Sequence, residues 1–176
     1  MTSDKELLKS ARAFDQQTLA EIYDQYSPKL YRYAIRLLGD DTQAEDCVAE
    51  TFSRFLNALQ QGGGPKEHLQ AYLYRIAHNW ITDQYRRQSP VPLEQEEPLE
   101  SPSQLDPQAI VDEIFLQDRV REALKEITPE QRQVVILKFV EEWSNSEVAK
   151  SIGKPVGAVK SLQHRALAAL RRQLID

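Results

Sequence analysis

Lys160, Ser161, His164 and Arg165 recur at the spacing of one helix face and bring hydrogen-bond donors and positive charge together without a nucleophile. A face of that kind neutralises phosphates and reaches base edges; it does not break bonds. Lys154 and Gly157 precede it, and Arg171 and Arg172 follow. Between Ser146 and Ile175 six Lys/Arg stand against one Glu, a local net of +5 in a chain of net −5. The other chemistry-bearing residues point away from catalysis. The single cysteine, Cys47, falls on the apolar side of its segment and reads as a small buried thiol. His68, His78 and His164 are too scattered for a metal set, and no pair of groups is spaced to assemble a nucleophile with its base. The expectation is a protein that is not an enzyme and uses neither cofactor nor metal.

The elements that carry this face are marked by local signals. Thr128-Pro129-Glu130-Gln131 supplies an N-cap, a proline at the first helical position and a glutamine to close a capping box, so a helix is expected from Pro129 to about Glu141. Ser144-Asn145-Ser146-Glu147 repeats the signature and starts a short helix that holds Val148, Ala149 and Ile152 and stops at Gly153. Lys154-Pro155 then opens a third helix. Its inward arc is Val156, Val159, Leu162, Ala166, Leu167, Leu170 and Leu174; Gly157, Lys160, Ser161, His164, Arg165, Ala168, Arg171 and Arg172 lie opposite. A charge run alone is more often a solvated surface. The capped helix-turn-helix around this one turns the reading toward duplex DNA.

Three or four helices account for residues 4 to 88. Phe14, Leu19, Ile22 and Tyr23 lead into Tyr26, and Pro28 is expected to start a new helix that ends at Gly39-Asp40-Asp41. Asp40 caps the next, which turns Ala44, Cys47, Val48, Phe52, Phe55 and Leu59 inward. Its outer row, Asp46, Ala49, Glu50, Ser53, Arg54 and Asn57, is either plain solvent surface or a docking strip for a partner helix. The segment 60–68, with Gly62-Gly63-Gly64-Pro65, is a connecting loop; it lacks the strand, lysine and hydroxyl of a phosphate-binding loop. From Leu69 to Gln88 the inward arc is assigned to Leu69, Tyr72, Leu73, Ile76, Ala77 and Trp80. Tyr74, Arg75, His78, Asn79, Thr82, Tyr85 and Arg86 then face outward, where rings suit unstacked bases and guanidinium groups suit phosphates. The alternative is that Tyr74 and Tyr85 cover a neighbouring helix.

Charge divides the chain. Residues 1–90 carry 11 basic and 12 acidic side chains, 91–118 carry eight acidic and no basic ones, and 119–176 carry 11 basic and seven acidic. The stretch from Gln88 to Pro107 contains five of the nine prolines and reads as an extended linker. The fold class expected is therefore all-α: two small helical domains, 1–88 and 108–176, joined by a flexible acidic Pro-rich linker at 89–107, the second domain being a helix-turn-helix. An acidic overall balance opposes strong binding to DNA by the free chain, so something else must help it onto its site. The N-terminal residues lack the basic start and apolar run of a signal peptide, and no long apolar run occurs; a cytoplasmic protein without membrane insertion is expected.

Three stretches together resemble the extracytoplasmic-function group of bacterial sigma factors, the promoter-recognition subunits of RNA polymerase. They are Tyr31 to Leu59, with Ala44-Glu45-Asp46 and Glu50-Thr51-Phe52; Ala71 to Arg87, AYLYRIAHNWITDQYRR; and Ile127 to Arg172, beginning ITPEQRQVVILKFVEEW. No one of them is diagnostic, but their order is highly specific. The resemblance implies that Asp46, Glu50 and Arg54 dock on coiled-coil helices of core RNA polymerase. It implies that the loop from Gly62 to His68 and the helix of Tyr74 to Arg87 recognise and open the minus-ten promoter element, where a non-template base is extruded. It implies that Lys154 to Arg165 read the minus-thirty-five element as duplex, that the linker threads through the polymerase, and that an anti-sigma factor is a further partner. This sequence departs from the family at Leu162-Gln163, commonly basic then apolar, at Leu167-Ala168, commonly both basic, at Tyr72, often tryptophan, and in its glycine-rich loop. Fewer basic residues should flatten the salt dependence of duplex binding by about 0.9 per lost contact. Two rivals remain: a polymerase-independent helix-turn-helix regulator, which would ordinarily dimerise on a palindrome, and a sigma-like decoy that binds an anti-sigma factor.

Overall fold

A computed structural model describes residues 3–88 and 119–174 of the chain. The expected linker at 89–107 and the start of the second domain lie outside the described residues. The described elements are all helical and divide into two compact units, Met1–Asp83 and Gln84–Asp176. The division falls within the last turns of a helix, somewhat before the expected boundary at 88.

The first unit opens with α1 (Asp4–Arg12), capped by the Ser3 side chain, and α2 (Gln16–Leu38), capped by Asp15, which accepts from both the backbone and the hydroxyl of Thr18. These hydrogen bonds hold the Asp15 carboxyl below its ordinary pKa. Pro28 does not start a new helix, as expected from sequence; it sits inside α2. Proline cannot donate to the carbonyl of Asp24, yet both residues are exposed, so water can satisfy that oxygen and the helix continues. Gly39 ends α2 in the left-handed conformation at φ 70°, its N–H bonded to the Ile35 carbonyl. Asp40 caps α3 (Asp41–Gln60) as expected, accepting from Gln43 N–H at 2.9 Å. The loop 61–68 then leads into α4 (Leu69–Gln88). Leu30, Tyr33, Leu37, Cys47, Phe55, Leu73 and Tyr74 are among the side chains that close the core of this unit.

In the second unit α5 (Val120–Glu126) precedes α6 (Pro129–Val135), whose N-terminus carries the full Thr128/Gln131 capping box. Every residue from Gln131 to Leu137 is buried, as in a helix enclosed on all sides. The expected helix to Glu141 does not stay α-helical: Ile136–Val140 forms a π-turn, with Glu141 N–H reaching back to the Ile136 carbonyl. The wider turn rotates Lys138, Phe139 and Val140 to half-buried positions, and Glu142 at φ 60° ends the segment. Ser144 and Glu147 form the second capping box and start α7 (Asn145–Ile152), which Gly153 closes at φ 70°. The last described helix is α8 (Val156–Leu174).

Candidate nucleic-acid interface and docking face

The strongest geometric case is the α7–turn–α8 motif. Gly153 and Lys154 both donate to the Ala149 carbonyl, which makes the turn between the helices tight. Gln163 donates to the Asn145 side chain at 2.6 Å and stitches α8 to the first turn of α7. Val159, Leu162, Ala166, Leu167, Leu170 and Leu174 are buried, as expected, and Ala169 joins them. Gly157, Lys160, Ser161, His164 and Arg165 are all exposed along the opposite side. Ser161 donates to the Gly157 carbonyl at 3.2 Å, a solvent-side bond that a stronger acceptor can replace.

Two residues of this motif differ from expectation. Val156, assigned to the core arc, is the first residue of α8 and is 39% exposed. An exposed branched methyl pair beside Lys160 is suited to the methyl group of thymine. Lys154 is half-buried and pairs with Glu130 at 3.0 Å, so its charge already ties the turn to the start of α6. Such a partly exposed pair is weak and exchanges readily with a phosphate.

On α3 the expected division holds. Asp46, Ala49, Ser53, Arg54 and Asn57 are exposed and Glu50 is half-buried, while Ala44, Cys47, Val48, Phe52, Phe55 and Leu59 are buried. Arg54 Nε meets Glu50 Oε1 at 2.9 Å, an i,i+4 pair that leaves Asp46 as the row's uncompensated charge. Sequence reasoning did not single out Tyr23 and Leu56, which are 50% and 37% exposed. The ring of Tyr23 lies 4.9 Å from that of Phe52, so a polar row and an apolar rim adjoin on one surface. Tyr23 stands off the stripe of Ile22, Tyr26, Leu30 and Tyr33, and that was the available signal.

Cys47 lies within this core, its Sγ 3.7 Å from the Ala77 carbonyl oxygen. Burial pushes the thiol up to about 12. It is a structural thiol, as its position in the sequence suggested.

The face assigned to α4 needs correction. Tyr74, His78 and Thr82 were expected to point outward, and all three are buried. Tyr74 packs edge-on against Tyr33 at 5.1 Å; the Tyr33 hydroxyl meets His78 Nδ1 at 3.0 Å, and Thr82 Oγ1 stands 3.4 Å from His78 Nε2. These contacts turn α4 so that Leu73, Tyr74, Ala77, His78 and Ile81 face inward, roughly one residue around from the expected arc, which is about 100° on a helical wheel. Tyr85 is half-buried rather than outward. In the second unit the Arg132 guanidinium lies 4.0 Å over its ring, and burial raises the phenol to about 12.

Arg75, Asn79 and Arg86 remain exposed, as expected. Beside them stand Tyr72, Ile76 and Trp80, half-buried instead of enclosed, with Tyr72 edge-on to Phe55 at 6.1 Å. The surface of α4 therefore keeps its mixture of rings, cations and amide, with different rings. Leu73, Ala77 and Ile81 recur at a spacing of four, as good a core stripe as the one chosen, and that was the overlooked signal.

The loop before α4 has Gly62 at φ 79°, Gly64 at φ 91° and His68 at φ 56°. A Cβ on Gly62 would meet nothing within 4 Å, so the exposed tip is open to close approach by another molecule's backbone. Among the described residues no group of His, Cys, Asp or Glu could hold a metal ion.

Comparison with known proteins identifies the two regions of the chain. Residues 22–91 match the family model for sigma-70 region 2, and residues 117–170 match the model for sigma-70 region 4. The chain is 30% identical over 182 residues to the ECF RNA polymerase sigma factor SigW of Bacillus subtilis, covering 98% of this chain and 97% of that protein. Among solved structures it resembles CnrH in complex with the cytosolic domain of CnrY, at a TM-score of 0.70 and 25% identity over 98% of this chain and 97% of that one. It also resembles the sigma factor RpoE in complex with the anti-sigma factor NepR from Bartonella quintana, at a TM-score of 0.57 and 27% identity, over 94% and 99% of the respective chains. With a region 2 and a region 4 in order and this likeness along nearly its whole length, the chain belongs to the extracytoplasmic-function sigma factors of the sigma-70 family, which bind core RNA polymerase and direct promoter-specific initiation of transcription.

Proposed function

We propose a division of this work among three surfaces. The row Asp46, Glu50 and Arg54 on α3, with Tyr23 and Leu56 as its apolar rim, docks on core polymerase. The exposed side of α4, with Arg75, Asn79 and Arg86, meets the minus-ten element as it opens, and Tyr72 and Trp80 take the stacking role first given to Tyr74 and Tyr85. Stacking requires an accessible ring face; Tyr74 is fully enclosed, and the Arg132 guanidinium already covers a face of Tyr85. The open tip of the loop 61–68 approaches the same strand. Gly157, Lys160, Ser161, His164 and Arg165, with Val156 and an exchangeable Lys154, read the minus-thirty-five duplex.

The observation that carries this reading is the exposure of Lys160, Ser161, His164 and Arg165 on the second helix of a tightly capped helix-turn-helix. The match to region 2 weighs against a polymerase-independent regulator. The exposed basic face weighs against a decoy, which would have no use for it. The protein acts in the cytoplasm, where its polymerase is, and contributes no catalytic group; the polymerase supplies the chemistry. No helix among the described residues is long and apolar enough to cross a membrane. An anti-sigma factor, as in the RpoE complex with NepR, is the expected inhibitor.

Run-off transcription on fragmented genomic DNA, with core polymerase and with or without this protein, tests the proposal. Discrete new transcripts that require the protein, with start sites preceded by shared minus-ten and minus-thirty-five elements, are expected. Core binding without transcripts would favour the decoy.

A further inference from the structure

The region 2 match begins at residue 22, so α1 lies outside it, yet α1 makes a concentrated set of long-range polar contacts to one place. Arg12 Nη2 donates to the Pro65 carbonyl at 2.6 Å. Asp4 Oδ2 accepts from the backbone N–H of Leu69 at 3.2 Å and so supplies, from a distant part of the chain, the cap for the first turn of α4. Lys5 Nζ stands 3.7 Å from Glu67 Oε2. The three contacts fall at 65, 67 and 69, along the half of the loop that enters α4.

That half needs holding. His68 lies in the left-handed region at φ 56°, which a residue with a side chain adopts only where its surroundings impose it. The other half, at Gly62 and Gly63, is exposed. Leu8 and Ala11 anchor α1 in the core, so the helix is a fixed support rather than a loose arm.

We propose that α1 is a brace for the promoter-reading loop, with Asp4 and Arg12 as positioning residues that set where its 65–68 half and the first turn of α4 stand before DNA arrives, while the Gly62 and Gly63 N–H groups are tied to the Leu59 and Ala58 carbonyls at the end of α3. Lys5 contributes less, because its pair with Glu67 is exposed. The proposal rests on the reading of the loop as part of the minus-ten surface. A loop left unbraced must be ordered by the DNA itself, which costs discrimination between correct and incorrect minus-ten sequences. Docking on core polymerase and duplex reading through α8 do not depend on it.

The test uses reconstituted holoenzyme and the ratio of open-complex formation on a promoter with its own minus-ten element to that on a promoter with the element substituted. Asp4→Ala with Arg12→Ala is expected to lower this ratio on the order of tenfold, the scale of lost charge-assisted hydrogen bonds. Core affinity and retention on minus-thirty-five duplex should hold. Asp4→Asn with Arg12→Lys keeps an acceptor and a donor and is expected to restore most of the ratio. A control, Gly62→Pro with Gly64→Ala, alters the loop directly. If the control lowers the ratio and the α1 variants do not, the brace is overturned while the loop reading stands. If the control has no effect, the loop reading fails and takes the brace with it. A parallel fall in ratio, core affinity and melting temperature, unrelieved by the conservative pair, would also overturn the brace by reducing α1 to a general stabiliser.

Discussion

Lys160 and Arg165 are exposed and make no ion pair among the described residues, so their charge is available to phosphates. Replacing both with alanine should weaken retention on a minus-thirty-five duplex and flatten the dependence of log K on log salt by about 1.8. A gel-shift titration across salt concentrations measures that slope; an unchanged slope would place the phosphate contacts elsewhere. Cys47 makes the opposite prediction, of inertness. With its thiol pushed up to about 12, it should resist alkylation in the native protein at pH 8 and react as soon as the protein is unfolded in urea. The sign of the linkage follows. The folded state keeps the thiol proton where the unfolded state releases it, so this stabilisation is complete below the unfolded pKa near 9 and is lost as pH rises toward 12. Denaturant midpoints of the wild type and Cys47→Ser, followed between pH 8 and pH 11, should diverge least at the alkaline end.

Individual helices decide which side chains can act. The rotation of α4 separates two classes of substitution that looked alike in the sequence. Tyr74→Ala removes a fully buried ring that packs on Tyr33, and should cost about 3–5 kcal/mol of stability, with a correspondingly lower urea midpoint. Asn79→Ala removes only an exposed group. It should leave the midpoint within about 0.5 kcal/mol and impair promoter opening more than closed-complex binding. Permanganate reactivity of unpaired thymines, compared with footprinting of the closed complex, separates those two effects; equal losses would count against the assignment. On α3, Asp46→Arg with Glu50→Arg reverses the docking row without touching the core. It should abolish co-elution with core polymerase while the helical circular dichroism persists.

Over the whole molecule, the family's order of regions explains how a chain of net charge −5 serves as a DNA-binding protein. Its positive face is local, and on the proposed reading core polymerase supplies the remaining attraction. Much of this was legible in the sequence because it depends on local rules. Caps at Asp40, Thr128 and Ser144, and stops at Gly39 and Gly153, are satisfied by backbone groups within a few residues. The two faces of α8 were equally plain, because its apolar and basic residues separate cleanly around the helix. The tertiary structure decided what no local rule contains. Pro28 stays within α2 because solvent reaches the carbonyl it leaves unbonded, and the π-turn at Ile136–Val140 falls where the buried run from Gln131 to Leu137 gives way to half-buried residues. Above all, α4 carries apolar residues on more than one side, so its rotation was settled by Tyr33 and Cys47, partners on other helices, which encloses Tyr74 and leaves Tyr72 and Trp80 half-buried, while Tyr85 is covered by Arg132.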